Sequence, residues 1–255
     1  MFSKKVGLVL SGGAARGFAH IGVLKILQEN SIPIHYVTGT SVGSIIGAFL
    51  CRGYGWDEIL KIARDLKWSE LVRPTLSGMG LVKSDRMESF VNELLGSVDF
   101  EELEIPLKVV AVDLNQATEV VFDSGPVARA VRASSSVPGI FEPVIDDGRV
   151  LVDGGVINNL PCSLVRDLGA HKVIAVDLNA NPANDQPPEN LLDITYRSFA
   201  IMLNNSSMEG RSNADIIIQP ELHDFNYHDL SKADDMVRKG EEAAEEALKR
   251  LKRLR

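Results

Sequence analysis

Three short segments hold residue types able to do covalent chemistry together. Gly39-Thr40-Ser41-Val42-Gly43 has the Gly-x-Ser-x-Gly form of a nucleophile elbow, in which a sharp strand-to-helix turn pushes a serine hydroxyl into the open. With 21 glycines in the chain the pattern arises readily by chance, so its surroundings must decide. An apolar strand candidate precedes Gly39 and a helix candidate opens at Val42, which puts Ser41 where free amides and the helix dipole favour a developing anion. The competing reading is a helix-capping serine.

The second segment, Ser11-Gly12-Gly13-Ala14-Ala15-Arg16-Gly17, follows a strand candidate and precedes a helix, so its closely spaced glycines expose backbone N–H groups as an anion cradle. A dinucleotide fingerprint would need glycine at 12, 14 and 17, but residue 14 is alanine, and the chain contains no Gly-Lys-Ser/Thr phosphate loop. In an acyl hydrolase, amides from Gly12, Gly13 and Ala14 would bind the oxyanion of the tetrahedral intermediate. Arg16 would either brace the loop through a carboxylate or backbone partner or add positive charge at the anion. The third segment is Asp153-Gly154-Gly155 at the end of a strand candidate; Asp153 reads equally as a structural turn aspartate or as a base, the second requiring burial to lift its pKa from about 3.9. Gly17, Gly39, Gly43 and Gly154 are the supporting positions around these groups.

The elements that must place them alternate between strand and helix. Apolar runs at 6–10, 34–38, 107–114, 119–122, 149–152, 172–178 and 214–219 read as strands. Helical periodicity marks the segment around 21–27, then 42–50, 56–66, 85–95, 127–133, 160–168, 191–203 and 231–255, the last with Ala244, Leu248 and Leu251 on one face. The Pro/Gly stretch 73–80 is placed beside a substrate entrance, and 179–190 reads as a surface loop. The expected fold is a single α/β domain over 1–255, three layers deep, with a mainly parallel sheet and with the elbow and Asp153 meeting at the C-terminal edge of the strands.

Composition narrows the partners. A net charge of −8 opposes phosphate backbones and anionic surfaces, so no nucleic-acid partner is expected. Cys51 and Cys162 lack metal-ligand spacing and read as idle thiols, with no metal or other cofactor and a cytoplasmic setting. The apolar stretch 45–51 is far shorter than the roughly 20 residues that span a bilayer, so any membrane contact is expected to be peripheral.

Taken together the segments resemble the patatin-like phospholipases, particularly compact bacterial members and neuropathy-target-esterase-like catalytic domains. The likeness rests on Gly12 to Gly17 with Phe18 to Leu24, on Gly39 to Gly43, on Ser134 to Val144 with Pro138, Phe141 and Pro143, and on Asp153-Gly154-Gly155 with Asn158 and Pro161. It implies a patatin-like fold in which Ser41 attacks an ester carbonyl of a lipid or other ester substrate, Asp153 takes its proton directly, and the loop at Gly12-Gly13 holds the oxyanion, with no histidine or metal. The loop departs from the unbroken glycine run of many relatives at Ser11 and at Ala14, whose Cβ resists positive φ. Two other readings stand beside it. One is a Ser-His-Asp triad using His171, His223 or His228; the other is a lipid-binding module without turnover.

Overall fold

The computed structural model describes residues 4–66, 73–75, 77–180 and 187–254. Its centre is β1 (Val6–Leu10), every residue of which is buried, the pattern of a strand covered on both faces. Parallel to it run β2 (Tyr36–Thr40) on one side and β9 (Lys172–Val176) on the other, extended by β5 (Leu107–Asp113) beyond β2 and β10 (Ile216–Ile218) beyond β9. The antiparallel remainder is β6 (Thr118–Phe122) and a hairpin of β7 (Val144–Asp146) and β8 (Arg149–Asp153).

The register of β5 explains how two distant motifs meet. Its residues 109–113 pair with β6, which overlaps both β2 (on 107–110) and β8 (on 111–113). Partners that overlap along one strand must lie on its opposite edges, so β2 and β8 share a single edge and meet end to end. Thr40 is level with Val110, and Asp153 is level with the next residue, Ala111, about 3.3 Å further along. The meeting point therefore lies at the C-terminal ends of β2 and β8, with β5 running on past it to Asp113.

Alternation along the central strands builds the three layers. Leu8 and Leu10 of β1, with Ile174 and Val176 of β9, face a core completed by α1 (Phe18–Glu29), α2 (Val42–Cys51), α3 (Trp56–Asp65) and buried residues of α4 (Asp85–Leu95) and α5 (Val127–Ser134). Val9, Val173 and Ala175 face the other way, against α6 (Cys162–Asp167), with α7 (Leu191–Ser206) and α8 (Met208–Asn213) following. The C-terminal helix α9 (Ala233–Leu251) docks on α1 through the predicted face, with Ala244 and Leu251 fully buried. This crossing is close: a Cβ on Gly240 would stand 2.0 Å from the Ala19 carbonyl oxygen, and one on Gly22 2.0 Å from that of Val237.

Several predicted boundaries shift for local reasons. The strand expected at 34–38 begins two residues later and ends at Thr40, directly against Ser41. The strand expected at 172–178 stops at Val176, because Asp177 turns inward to Arg211. The β7 strand was not foreseen, although Asp147-Gly148 with φ of 47° and 78° is the turn chemistry of a two-residue hairpin. A small hairpin of β3 (Arg73–Pro74) and β4 (Val82–Lys83) occupies the Pro/Gly stretch; 67–72 and 76 lie outside the described residues, as do 181–186 of the predicted surface loop.

Candidate active site

Ser41 sits between β2 and α2 with φ 53° and ψ −127°, a conformation that costs a non-glycine residue about 1–3 kcal/mol. Its side chain makes no capping hydrogen bond to α2, which removes the capping-serine reading. The turn is held from both sides: Ser41 N–H donates to Ser134 Oγ at 2.8 Å, and Ser44 Oγ donates to the Ser41 carbonyl at 2.6 Å. Gly43 permits it, since a Cβ there would lie 2.1 Å from the Leu10 carbonyl oxygen. Gly17, Gly39 and Gly154 pack at the same junction, against Val42, Gly43 and Val110.

Asp153, fully buried, ends β8 beside this turn. Its Oδ1 accepts the Gly155 N–H at 2.8 Å, whereas Oδ2 is buried without a partner at ordinary hydrogen-bond distance. Burial pushes the carboxyl pKa up to about 7, against the lowering effect of the Ser41 hydroxyl and the Gly155 N–H. The hydroxyl is thus near enough to act on the carboxyl without a well-formed bond to Oδ2, the loose pairing common in substrate-free sites.

The Gly12 loop differs from expectation in one donor. Gly12 N–H is taken by Asn159 Oδ1 at 2.9 Å, so it is not a free amide, and Asn159 is fixed in turn by Ser207 Oγ at 2.9 Å. The Gly13 and Ala14 N–H groups have no acceptor among the described residues, while Ala15 N–H is held by the Tyr227 carbonyl at 3.0 Å. Ala14 does adopt positive φ, 48°, despite its Cβ. Arg16 braces: it donates to the carbonyls of Phe225 (3.1 Å) and Leu178 (3.4 Å) and to the Tyr227 hydroxyl (2.7 Å), 4 % exposed and with its pKa lowered by burial.

Ser41, Ala14 and Gly17 open onto a cavity of about 270 Å³ walled by Ile21, Ile45, Ile46, Met87, Val137 and Phe141, with Tyr196, Tyr227, His228 and Leu230 also lining it. The β3–β4 hairpin adjoins this wall at one remove, Val82 bridging to Phe141. Of the three histidines considered for a triad, His171 binds Lys5 N–H at the opposite end of the sheet, exposed His223 pairs with Asp224, and His228 lies on the cavity wall with its ring tilted against Tyr196. No hydrogen bond among the described residues links a histidine to Ser41 or Asp153. His20 is buried with its ring on the Ser11 carbonyl at 2.8 Å and its pKa pushed down to about 4. Both cysteines are free and buried, no group of His, Cys, Asp and Glu among the described residues could hold a metal ion, and no described helix is long and apolar enough to cross a membrane.

This geometry can be set beside known proteins. A model of patatin-like phospholipases matches residues 8–166. The chain belongs to that family. An uncharacterized NTE family protein of Mycobacterium tuberculosis is 37% identical over 192 residues, covering 73% of this chain and 53% of that protein. Neuropathy target esterase sws of Drosophila melanogaster is 35% identical over 71% of this chain and 13% of its own length, and a lysophospholipase NTE1 of Coccidioides immitis is 29% identical over 98% and 18%. The chain thus spans about half the length of the mycobacterial relatives and far less of the others. Among solved structures, VipD from Legionella pneumophila superposes with a TM-score of 0.71 at 14% identity, over 97% of this chain and 67% of that one, which supports the fold.

Four residues of this patatin-like site escaped the sequence reading as individual positions: Ser134, Asn159, Asn179 and Tyr227. None stands in a periodic pattern. The available signal was polarity where burial was expected, as at Asp177 and Asn179, both fully buried directly after the apolar β9.

Proposed function

We propose that this chain is a serine acyl hydrolase that cleaves carboxylic esters of lipids through Ser41 and Asp153. One observation carries the reading: a strained serine on the wall of an apolar cavity has behind it a buried carboxyl with an unpartnered oxygen and a pKa near 7. Ser41 Oγ attacks the ester carbonyl carbon while its proton passes to ionised Asp153. The carbonyl oxygen, now an anion, accepts from Gly13 and Ala14 N–H, each such donor being worth about 3–4 kcal/mol of barrier. Collapse of the intermediate breaks the ester C–O bond, and the alcohol leaves with the proton from Asp153. Water then attacks the acyl-serine, again delivering a proton to Asp153, and the fatty acid departs from restored Ser41.

The apolar walls favour an acyl chain over a polar acyl group, and the relatives named as lysophospholipase and neuropathy target esterase support a lipid substrate. A panel of monoacyl lipids, diacyl lipids and short esters, with a fluorophosphonate probe, tests the proposal. Hydrolysis and labelling should both vanish in Ser41→Ala. Folded wild-type protein that neither hydrolyses nor labels would instead leave a binding module.

A further inference from the structure

The Gly12–Gly13 peptide is held from behind by a chain of hydrogen bonds whose direction is fixed by a residue with no acceptor. Arg16 can only donate, and its Nη1 donates to the Tyr227 hydroxyl at 2.7 Å. That hydroxyl must then turn its own proton onward, to Asn179 Oδ1 at 3.0 Å. With its oxygen so engaged, the Asn179 amide presents Nδ2 to the Gly12 carbonyl oxygen, 2.7 Å away. Asn179 has no freedom to move off: it is fully buried, its N–H donates to Asp177 Oδ1 at 3.0 Å, and Asp177 Oδ2 is clamped by Arg211 Nε at 2.6 Å.

A trans peptide directs its carbonyl and its N–H to opposite sides. Drawing the Gly12 carbonyl, which also accepts from Ser11 Oγ at 3.1 Å, back onto Asn179 therefore turns the Gly13 N–H the other way, away from Asn179, in a loop that packs against Ser41: a Cβ on Gly12 would stand 3.0 Å from that of Ser41. The same bond polarises the peptide, and in a chain begun by a guanidinium each link strengthens the next. We propose that Asn179, oriented by Arg16 through Tyr227, is a positioning residue that aims and polarises the Gly13 N–H as an oxyanion donor. This rests on the acyl-hydrolase reading above and adds to it the reason why a buried arginine and a distant tyrosine belong to the loop.

The test compares Asn179→Asp, which keeps the shape but loses the donor, with Asn179→Leu and Tyr227→Phe. Steady-state hydrolysis of a nitrophenyl ester is measured beside thermal unfolding. Either Asn179 variant should lower kcat roughly tenfold to a hundredfold with KM within about twofold, because a donor that matters only for the charged intermediate leaves ground-state binding alone. Tyr227→Phe should lower kcat less, and the Asn179→Asp/Tyr227→Phe pair should be no worse than Asn179→Asp alone, since both cut one chain. Unchanged kcat in folded variants, a KM that rises in step with the loss, or losses that multiply would overturn the proposal. If neither Asn179 variant folds, Tyr227→Phe decides alone: a kcat lowered at least threefold with KM unchanged supports it and an unchanged kcat overturns it. Wild-type protein without ester hydrolysis would defeat the acyl-hydrolase reading itself, a result distinguishable from these.

Discussion

Replacing Asp153 by asparagine should change stability in a way that depends on pH, and the size of the effect follows from the burial of one carboxyl. In the folded protein this group keeps its proton up to about pH 7, whereas in the unfolded chain it loses it near the ordinary aspartate value of 3.8. Between those values the native state binds more protons than the unfolded state, so stability falls as pH rises through the window and is level outside it. A shift of about 3 units corresponds to about 4 kcal/mol, of which about 3 kcal/mol falls between pH 5 and pH 8. Asparagine does not titrate, and it keeps an oxygen for the Gly155 N–H. Its unpartnered NH₂ adds a cost of about 1–3 kcal/mol that is independent of pH and cancels from the comparison, as do other titrating groups common to both proteins. Urea unfolding of wild type and Asp153→Asn at pH 5 and pH 8 should thus show the mutant gaining about 3 kcal/mol relative to wild type at the higher pH. In parallel, wild-type kcat/KM should rise with pH to a plateau above about 7, as the base ionises, and the mutant should lose that activity. A stability difference that stays constant within about 1 kcal/mol, joined to a flat pH–rate profile, would refute the assignment of a raised, functional carboxyl.

Two further substitutions probe the frame. Gly43→Ala should abolish ester hydrolysis and lower stability by about 1–3 kcal/mol in denaturant titration, because the added methyl meets the Leu10 carbonyl oxygen and forces the elbow off β1. Gly240→Ala should destabilise by a similar about 1–3 kcal/mol by driving α9 from α1, yet spare kcat in the folded fraction, since that crossing does not touch Ser41 or Asp153; a neutral effect on thermal unfolding would show that the helices separate freely.

Much of the architecture was legible because its signals are local. The apolar run at 6–10 reads as a covered strand, and the Gly-x-Ser-x-Gly spacing describes a turn that is crowded at Gly43 against the Leu10 carbonyl. The Asp153 motif located a carboxyl but not its edge: that β2 and β8 share one side of β5 depends on which strands overlap in register, and no window of sequence contains all four strands. The loop donors were misjudged at Gly12 for the same reason, because Asn159, which occupies that amide, is 147 residues away. Positive φ at Ala14 ran against local propensity and is sustained by packing that propensity does not describe.

Several departures from local rules meet at one place, and that meeting is itself an argument about chemistry. Ser41 holds a strained backbone, Ala14 sits at positive φ, Asp153 keeps an oxygen buried without a partner, and two amides of the Gly12 loop face no acceptor. Each is unfavourable for folding alone. Positive φ also occurs at Ser31, Ser97, Ala117 and Asp147, and His20 Nδ1, Asp85 Oδ1 and Ser135 Oγ are also buried without a partner, but here the two kinds of exception meet. Buried charges such as Asp177 and Arg16, by contrast, are answered by Arg211 and by two carbonyls and a hydroxyl. Scattered over the chain, these exceptions would read as unrelated imperfections. Set around one hydroxyl at the wall of an apolar cavity, they supply the unmet hydrogen-bonding capacity that a tetrahedral ester intermediate brings: a proton for Asp153 and an oxyanion for the amides. The intermediate would satisfy together what the resting protein leaves open, which is how a site comes to favour the transition state over the bound ester.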